Sequence, residues 1–345
     1  MRKKLYWLIG LALALFNITA CDKDLENDND IQENFETLWS IIDQRYCFFP
    51  YKQDSIMDWD KVHTLYLVKS LQCKTTEELF YVFGDMLNEL KDGHVNLISK
   101  FDVSRYDLQG NRPDNFVSNT IKSDNYLGKD YRKAGGLLYK ILPQDSIGYI
   151  YYSSFSNSIS EAYINNVLQH MKKCKGLIID VRDNGGGMVT NVDLLASHFN
   201  DSKRLVGYYQ RKTGPAHDAL SKPQEIYLSA GSGVTFTDKP IAVLTNRNVF
   251  SAANQFVEVM KALPNVTIIG DKTGGGTGMP TSDELPCGWM IRYSSAIYLD
   301  KDMNCTEWGI EPDIEVSLDM QKACLENIDT IIEAAREDIL KKAKD

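Results

Sequence analysis

Ser251 lies in the stretch TNRNVFSAANQF, Thr245 to Phe256, where an apolar segment gives way to a predicted helix. Two small residues, Ala252 and Ala253, follow it, so the helix could approach a neighbouring backbone closely. This arrangement resembles a strand-to-helix elbow that exposes a nucleophilic serine, although the glycines of the GxSxG pattern are absent. Serine is also among the commonest helix N-cap residues. From this stretch alone the cap is the simpler interpretation, because a nucleophile requires a base.

A base for this serine has to be an imidazole or an amine, and the chain contains five histidines. His94 stands in LKDGHVNLIS, one residue after a glycine that ends a predicted helix and just before an alternating strand. A position at such a junction, and not on a helix face, suits a functional side chain. The other histidines lie in predicted helices or in a polar loop, where surface or packing roles are more common: His63, His170, His198 and His217.

A glycine-rich segment, LIIDVRDNGGG from Leu177 to Gly187, predicts a buried strand followed by a turn that opens a helix at about Val189. Free backbone N–H groups at a helix N-terminus form an anion site, which suits a phosphate or an oxyanion. A nucleotide site is not supported, because the third glycine of GxGxxG and the lysine of a Walker loop are both missing. A tight turn without chemistry is the remaining alternative.

The elements that would position these residues fall into two regions. Apolar residues recur at helical spacing from Ile31 onwards, which predicts a helical domain over residues 31–99. After about residue 146, short apolar strands alternate with helices, which predicts an α/β domain over residues 146–345 that ends in a helix. The polar, irregular residues 100–145 are expected to connect the two.

The first twenty residues have a basic start, an apolar stretch and small residues at 18–20, which is typical of an export signal. Because Cys21 follows, the segment resembles a bacterial lipoprotein signal, in which that cysteine is lipidated. An ordinary signal peptide with a chance cysteine is the alternative. Residues 21–30 are predicted to form an acidic tether. We therefore expect an outer-membrane lipoprotein of a Gram-negative bacterium, held at the membrane through lipid on Cys21. The sequence does not specify whether it faces the periplasm or the cell surface.

The net charge of −9 disfavours nucleic-acid binding, because an acidic surface repels phosphate backbones. Six cysteines follow Cys21 without any CxxC pair or clustering with histidine, so no zinc site is expected. Disulfides are possible in an exported protein, and their pairing cannot be deduced from the sequence.

Five motifs in order resemble those of the serine peptidases that comprise the C-terminal processing peptidases and the tricorn protease core. They are LKDGHVNL, LIIDVRDNGGG, NVFSAANQF, IIGDKTGGGTG and EWGIEPDIEV, and the resemblance spans roughly residues 31 to 320. It implies a crotonase/ClpP-like βαβ catalytic core after a small N-terminal helical domain. It further implies an endopeptidase, without a cofactor, that cleaves peptides or unfolded protein termini.

The resemblance implies a role for several residues. Ser251 matches the nucleophile that forms an acyl-enzyme. The N–H groups of Gly186 and Ala252 match the oxyanion hole. Gly274 and Gly275 match a loop expected to contact the substrate.

The base is where the sequence departs from the processing peptidases, because Gly276 occupies the position of their lysine. Lys272 lies nearby and is the weaker alternative. The tricorn-like branch uses a histidine that matches His94, oriented by an acid that is best matched by Glu307. Glu307 could instead be a surface acid, and Gly93 stands where the tricorn core has a polar residue.

Only about fifty residues separate His94 from the strand that begins at Ile147, which leaves no room for the peptide-binding PDZ domain of processing peptidases. Two other functions stay open. One is a non-catalytic peptide-binding lipoprotein of the same fold, and the other is an esterase or amidase that uses the same serine.

Overall fold

The computed structural model describes residues 28–52, 58–107, 110 and 113–344. The predicted signal peptide, Cys21 and most of the predicted tether lie outside these ranges. Helix α1, Asp28–Arg45, begins three residues before Ile31 and so includes the end of the predicted tether. Within the described ranges, no helix is both long and apolar enough to cross a membrane.

Helices α1, α2 (Trp59–Leu71) and α3 (Thr76–Asn88) form the N-terminal helical region. Helix α3 starts where the sequence predicts, because the Thr75 hydroxyl accepts a hydrogen bond from Glu78 N at 3.1 Å. Its apolar face is buried through Leu79, Phe80, Phe83, Met86 and Leu87. The predicted small helical region is confirmed.

The strands of the described ranges form two sheets. In chain order they are β1 (Asn96–Ile98), β2 (Val103–Arg105), β3 (Arg132–Ala134), β4 (Leu137–Leu142), β5 (Ile147–Tyr152), β6 (Leu177–Asp180), β7 (Arg204–Arg211), β8 (Gln224–Leu228), β9 (Ile241–Thr245), β10 (Val266–Gly270), β11 (Gly278–Glu284), β12 (Met290–Asp300) and β13 (Ile314–Glu315). One sheet has the order β13-β10-β9-β6-β5-β4-β3, and the other β2-β1-β12-β7-β8 with β11 also paired to β12.

The seven-stranded sheet is parallel from β5 through β6, β9 and β10 to β13. Its connections include the helices α5 (Glu161–Met171), α6 (Val189–Ser197) and α7 (Ala252–Lys261), and α8 (Thr330–Lys342) follows it. Strands β6 and β9 are buried along their whole length, as expected for parallel strands covered on both faces. The predicted α/β core is confirmed, and β6 and β9 end where the glycine-rich segment and the serine turn begin.

The six-stranded sheet joins the helical region to the core. Strand β1 follows α3 and pairs antiparallel with β12, which belongs to the C-terminal half of the chain. Trp289, which precedes β12, and Ile291 and Tyr293, at its start, are buried in one apolar cluster with the helices α1 to α3. Residues 31–99 therefore share their core with the second half of the chain and do not form a separate unit.

The segment 100–145 is more than the irregular connection that the sequence suggested. Strand β4 pairs antiparallel with β5 and β3 pairs antiparallel with β4, so both extend the seven-stranded sheet, and α4 (Ser118–Ile121) lies before them. Leu137 and Leu142 are fully buried in β4. The polar residues around this short hairpin hid its apolar positions from sequence analysis. All six cysteines after Cys21 are free thiols.

Candidate active site

Ser251 sits at the turn between β9 and α7 in a backbone conformation that is rare for a residue with a side chain. Its φ is +58° and its ψ −126°. Two backbone hydrogen bonds hold the turn: Phe250 N donates to Asn184 O at 3.1 Å, and Ser251 N donates to Gly275 O at 2.9 Å. Ser251 stands at the N-cap position of α7, but its side chain makes no capping hydrogen bond, so capping does not account for the hydroxyl. A conformation of this kind costs about 1 to 3 kcal/mol and occurs most often at functional sites.

His94 faces this serine across the junction of the two halves of the chain. Its Nε2 lies 3.1 Å from Ser251 Oγ, within hydrogen-bond distance. The ring is buried and packs against Phe250 with ring centroids 4.7 Å apart. Burial lowers the pKa of His94 to about 4, against the opposing effect of Asp92. The imidazole is therefore neutral at neutral pH and can accept the serine proton.

Asp92 orients the turn that carries His94. Its Oδ1 accepts a hydrogen bond from His94 N at 2.7 Å, and its Oδ2 accepts from Tyr46 Oη at 2.9 Å and Ser294 Oγ at 3.1 Å. The carboxylate is buried. Sequence analysis did not identify Asp92 as a site residue. Its position two residues before a histidine at a helix end was the available signal.

Glu307 lies in the same buried cluster but makes no hydrogen bond to the imidazole. Its Oε2 accepts from Thr277 N at 2.7 Å and Gly278 N at 3.1 Å. One ring nitrogen of His94 and one carboxylate oxygen from each of Asp92 and Glu307 lie within 4.8 Å of one another. His94 Nδ1 has no hydrogen-bond partner among the described residues. Glu307 is thus a buried acid beside the base, which excludes the surface-acid alternative.

Burial and the neighbouring Asp92 raise the pKa of Glu307 well above its ordinary value. Two carboxylates in one buried cluster repel each other, which makes Glu307 harder to ionise. The same donors could in principle hold a metal ion. Their hydrogen bonds fit an acid–base arrangement better. His94 Nε2 faces the Ser251 hydroxyl, and Glu307 Oε2 already accepts from two backbone N–H groups.

The glycine-rich segment passes directly beside the serine turn, but one predicted donor is occupied. Gly186 N donates to Asn184 Oδ1 at 3.0 Å, so in this conformation it is not directed at an oxyanion. The prediction for Gly186 is therefore corrected. The side chain of Asn184 folds back under the turn, and its carbonyl oxygen accepts the hydrogen bond from Gly186 N. Ala252 N is at the first position of α7, where a backbone N–H has no acceptor within the helix.

Gly274 and Gly275, which the resemblance assigned to a substrate-contacting loop, are buried beside the serine turn. Gly274 N donates to Val249 O at 2.8 Å, and Gly275 O accepts from Ser251 N. A Cβ atom at Gly275 would lie 1.8 Å from Glu307 O. These glycines hold together the segments that carry the serine and the acid, because only a residue without a side chain fits between them.

The lysine alternative does not fit the geometry. Lys272 Nζ forms an ion pair with Glu311 Oε1 at 2.7 Å. Gly276, at the family's lysine position, has a φ of +82°, and a Cβ there would lie 2.3 Å from the Phe250 ring. The ring of Phe250 thus occupies the space beside position 276, and the titratable side chain that contacts the serine hydroxyl is that of His94.

Comparisons with known proteins agree with this arrangement. The family model described as Peptidase family S41 matches residues 146–316, and the Tricorn protease C1 domain matches residues 27–88. The carboxy-terminal processing protease CtpA of Bacillus subtilis is 26% identical over 186 residues, which cover 52% of this chain and 37% of that protein. The chain therefore spans little more than a third of the length of this curated relative.

Two solved structures share the fold over nearly the whole chain. A putative peptidase from Parabacteroides merdae is 46% identical, with a TM-score of 0.85 over 90% of this chain and 96% of that one. Mature CPAF bound to lactacystin is 12% identical, with a TM-score of 0.70 over 92% of this chain and 99% of that one, and so shows the fold alone. The chain belongs to peptidase family S41, a family of serine-type peptidases.

Proposed function

We propose that this protein is an exported serine endopeptidase in which Ser251 is the nucleophile and His94 the general base. The 3.1 Å contact between His94 Nε2 and Ser251 Oγ, at a strained strand-to-helix turn, carries the proposal. Nucleophile and base within hydrogen-bond distance are the arrangement that activates a serine hydroxyl.

The reaction follows from these two atoms. Ser251 Oγ attacks the carbonyl carbon of the scissile peptide bond while His94 Nε2 takes the hydroxyl proton. The tetrahedral intermediate collapses, the C–N bond breaks, and the imidazolium returns that proton to the leaving amine. Water then attacks the acyl-enzyme with His94 again as the base, and this step releases the carboxylic acid and restores the hydroxyl.

Ala252 N–H is the oxyanion donor that the described conformation offers. It directly follows the nucleophile and stands at the N-terminus of α7, where the helix dipole also favours negative charge. In other enzymes the loss of one oxyanion donor costs roughly 3 to 4 kcal/mol of transition-state stabilisation. Gly186 would contribute a second donor only after its N–H leaves Asn184.

Asp92 supplies the negative charge that favours the imidazolium during the reaction. Asp92 fixes the backbone of His94, and Glu307 lies in the same cluster. Because the cluster is buried, its electrostatic interactions are screened less than those between surface charges. We assign to Glu307 the role of the acid that orients His94. We propose that Asp92 shares this role.

Peptides or unfolded protein termini are the proposed substrates, in line with the relative named as a carboxy-terminal processing protease. We further propose lipid attachment at Cys21 and an outer-membrane location. Labelling of the full chain with a radioactive fatty acid in its host tests this part. Label in the wild type that is lost in Cys21→Ala supports it, and equal label in both contradicts it.

Cleavage of a peptide library and of an unfolded protein by the purified chain tests the proposed activity, with Ser251→Ala as the matched control. The proposal predicts peptide fragments with the wild type and none with the variant. Ester hydrolysis without any peptide cleavage would instead assign an esterase. No turnover of either substrate by the wild type would point to a peptide-binding protein.

A further inference from the structure

A lysine from the N-terminal helical region approaches the acid pair of the proposed site. Lys52 follows the short 3-10 turn Phe49–Tyr51, which continues from α1. Its ammonium donates to Leu90 O, two residues before Asp92. It also lies 5.4 Å from the ring of Trp308, which follows Glu307 in the chain. One side chain thus contacts both segments that carry the acids.

Tyr46 connects the ammonium of Lys52 to Asp92. Lys52 Nζ lies 5.7 Å from the centroid of the Tyr46 ring, and the hydroxyl of that tyrosine donates to Asp92 Oδ2 at 2.9 Å. Contacts between an ammonium and aromatic rings at this distance are attractive and strengthen where water is excluded. Lys52 is therefore held in place by two rings and one carbonyl, which fixes its charge near the carboxylates.

We propose that Lys52 is a positioning residue for the reaction, which holds the segments of Asp92 and Glu307 together and provides the positive charge that faces this buried pair. The catalytic part of this inference rests on the proposed function of Ser251 and His94. It gives the N-terminal region a part in the chemistry, because the charge that balances the acids comes from outside the α/β core.

The electrostatics agree with this geometry. Burial lowers the pKa of Lys52, and both Asp92 and Glu307 act in the opposite direction. Lys52 in turn lowers the pKa of Glu307, against burial and Asp92, which raise it. Among the other nearby cations, Arg292 faces Asp92 and His94, with its guanidinium 3.4 Å from His94 O. The remaining titratable groups around Lys52 and the pair are Tyr46, Cys47, Lys91 and Cys305.

The test separates the charge of Lys52 from its hydrogen bond. Lys52→Gln keeps an N–H donor for Leu90 O but removes the charge, and Lys52→Arg keeps both. Lys69→Gln is the matched control, because Lys69 is another lysine of the helical region whose ammonium lies over a tyrosine ring, Tyr66, at 4.3 Å. The rate at which a fluorophosphonate labels Ser251 is measured from pH 4 to pH 9.

Lys52 lowers the pKa of Glu307, so without this positive charge Glu307 binds a proton more readily, and a cluster that has lost one positive charge favours the protonated His94 ring. Lys52→Gln is therefore expected to move the acidic limb of the labelling rate up by about one pH unit, and Lys52→Arg to restore it. Lys69→Gln should leave the limb in place. A uniform loss of rate in Lys52→Gln without any displacement would indicate a merely structural role and overturn the proposal, as would a rate equal to that of the wild type.

Unfolding provides a second measurement that does not depend on activity. The pKa of Glu307 is raised, so Glu307 is more ionised at pH 8 than at pH 5, and only its ionised form needs the cation. The loss of stability in Lys52→Gln should therefore be larger at pH 8 than at pH 5. Folding at pH 5 but not at pH 8 would also support the proposal, and equal losses at both would contradict it. If the wild type is not labelled at Ser251, the proposed function fails. The stability losses of Lys52→Gln at pH 5 and pH 8 then decide the role of the Lys52 charge by themselves.

Discussion

Replacement of Gly186 by alanine probes how closely the glycine-rich segment is fitted to the serine turn. Gly186 is buried and has a φ of +99°, a conformation that residues with a side chain rarely adopt. A Cβ atom there would lie 2.7 Å from Phe250 O, 2.8 Å from Ser251 Cβ and 3.0 Å from Ala252 N. These are the atoms around the nucleophile, so the substitution should act on the reaction as well as on the fold.

The magnitude follows from the backbone and from the clash. An alanine in a glycine conformation costs about 1 to 3 kcal/mol of stability. Contacts as short as 2.7 Å to backbone atoms require a movement of several tenths of an ångström. Displacements of up to about 1 Å in a catalytic group reduce rates by as much as about 100-fold. We therefore expect Gly186→Ala to lose about 2 kcal/mol of stability and to label at Ser251 between 10- and 100-fold more slowly.

Gly185→Ala is the matched control, because Gly185 is exposed and a Cβ atom there meets nothing within 4 Å. Urea unfolding and the rate of fluorophosphonate labelling are measured for both variants. The control should stay within about 0.5 kcal/mol of the wild-type stability. Labelling of Gly186→Ala at the wild-type rate would refute the reasoning, and so would equal damage in both variants.

Two further predictions concern the base. Because burial lowers the pKa of His94 to about 4, NMR of the ring should show a titration midpoint near pH 4 in the folded protein, and a midpoint near 6.5, as in an unfolded chain, would contradict the described environment. Lys272→Ala should leave Ser251 labelling within about twofold and stability within about 1 kcal/mol, because a partly exposed ion pair contributes little. A folded Lys272→Ala protein that no longer labels would reassign the base to that lysine.

Sequence analysis predicted the parts of the fold that have a strong local signal. The apolar runs of β6 and β9 and the capped start of α3 correspond to buried strands and a helix at the expected positions. The hairpin of β3 and β4 was missed because the apolar run of β4 is short and lies within a segment that is otherwise polar. The pairing of β1 with β12 joins residues almost 200 positions apart, which no local pattern specifies.

The candidate site shows the same division. Ser251 and His94 were identified by their places at element junctions and by the resemblance, and the structure brings them within 3.1 Å. Asp92 and Lys52 were missed, because their importance depends on contacts with residues distant in sequence. Gly186, Gly274 and Gly275 were assigned to ligand binding, whereas their backbone groups bond within the site, a distinction that only three-dimensional packing determines.

The central claim is that His94 activates Ser251, and mass spectrometry after fluorophosphonate treatment tests it most directly. The proposed mechanism predicts one adduct, located on the peptide that contains Ser251, in the wild type. The adduct should be absent from Ser251→Ala and form at least about 100-fold more slowly in His94→Ala. No adduct on Ser251 in the folded wild type, or an undiminished rate in folded His94→Ala, would contradict the claim.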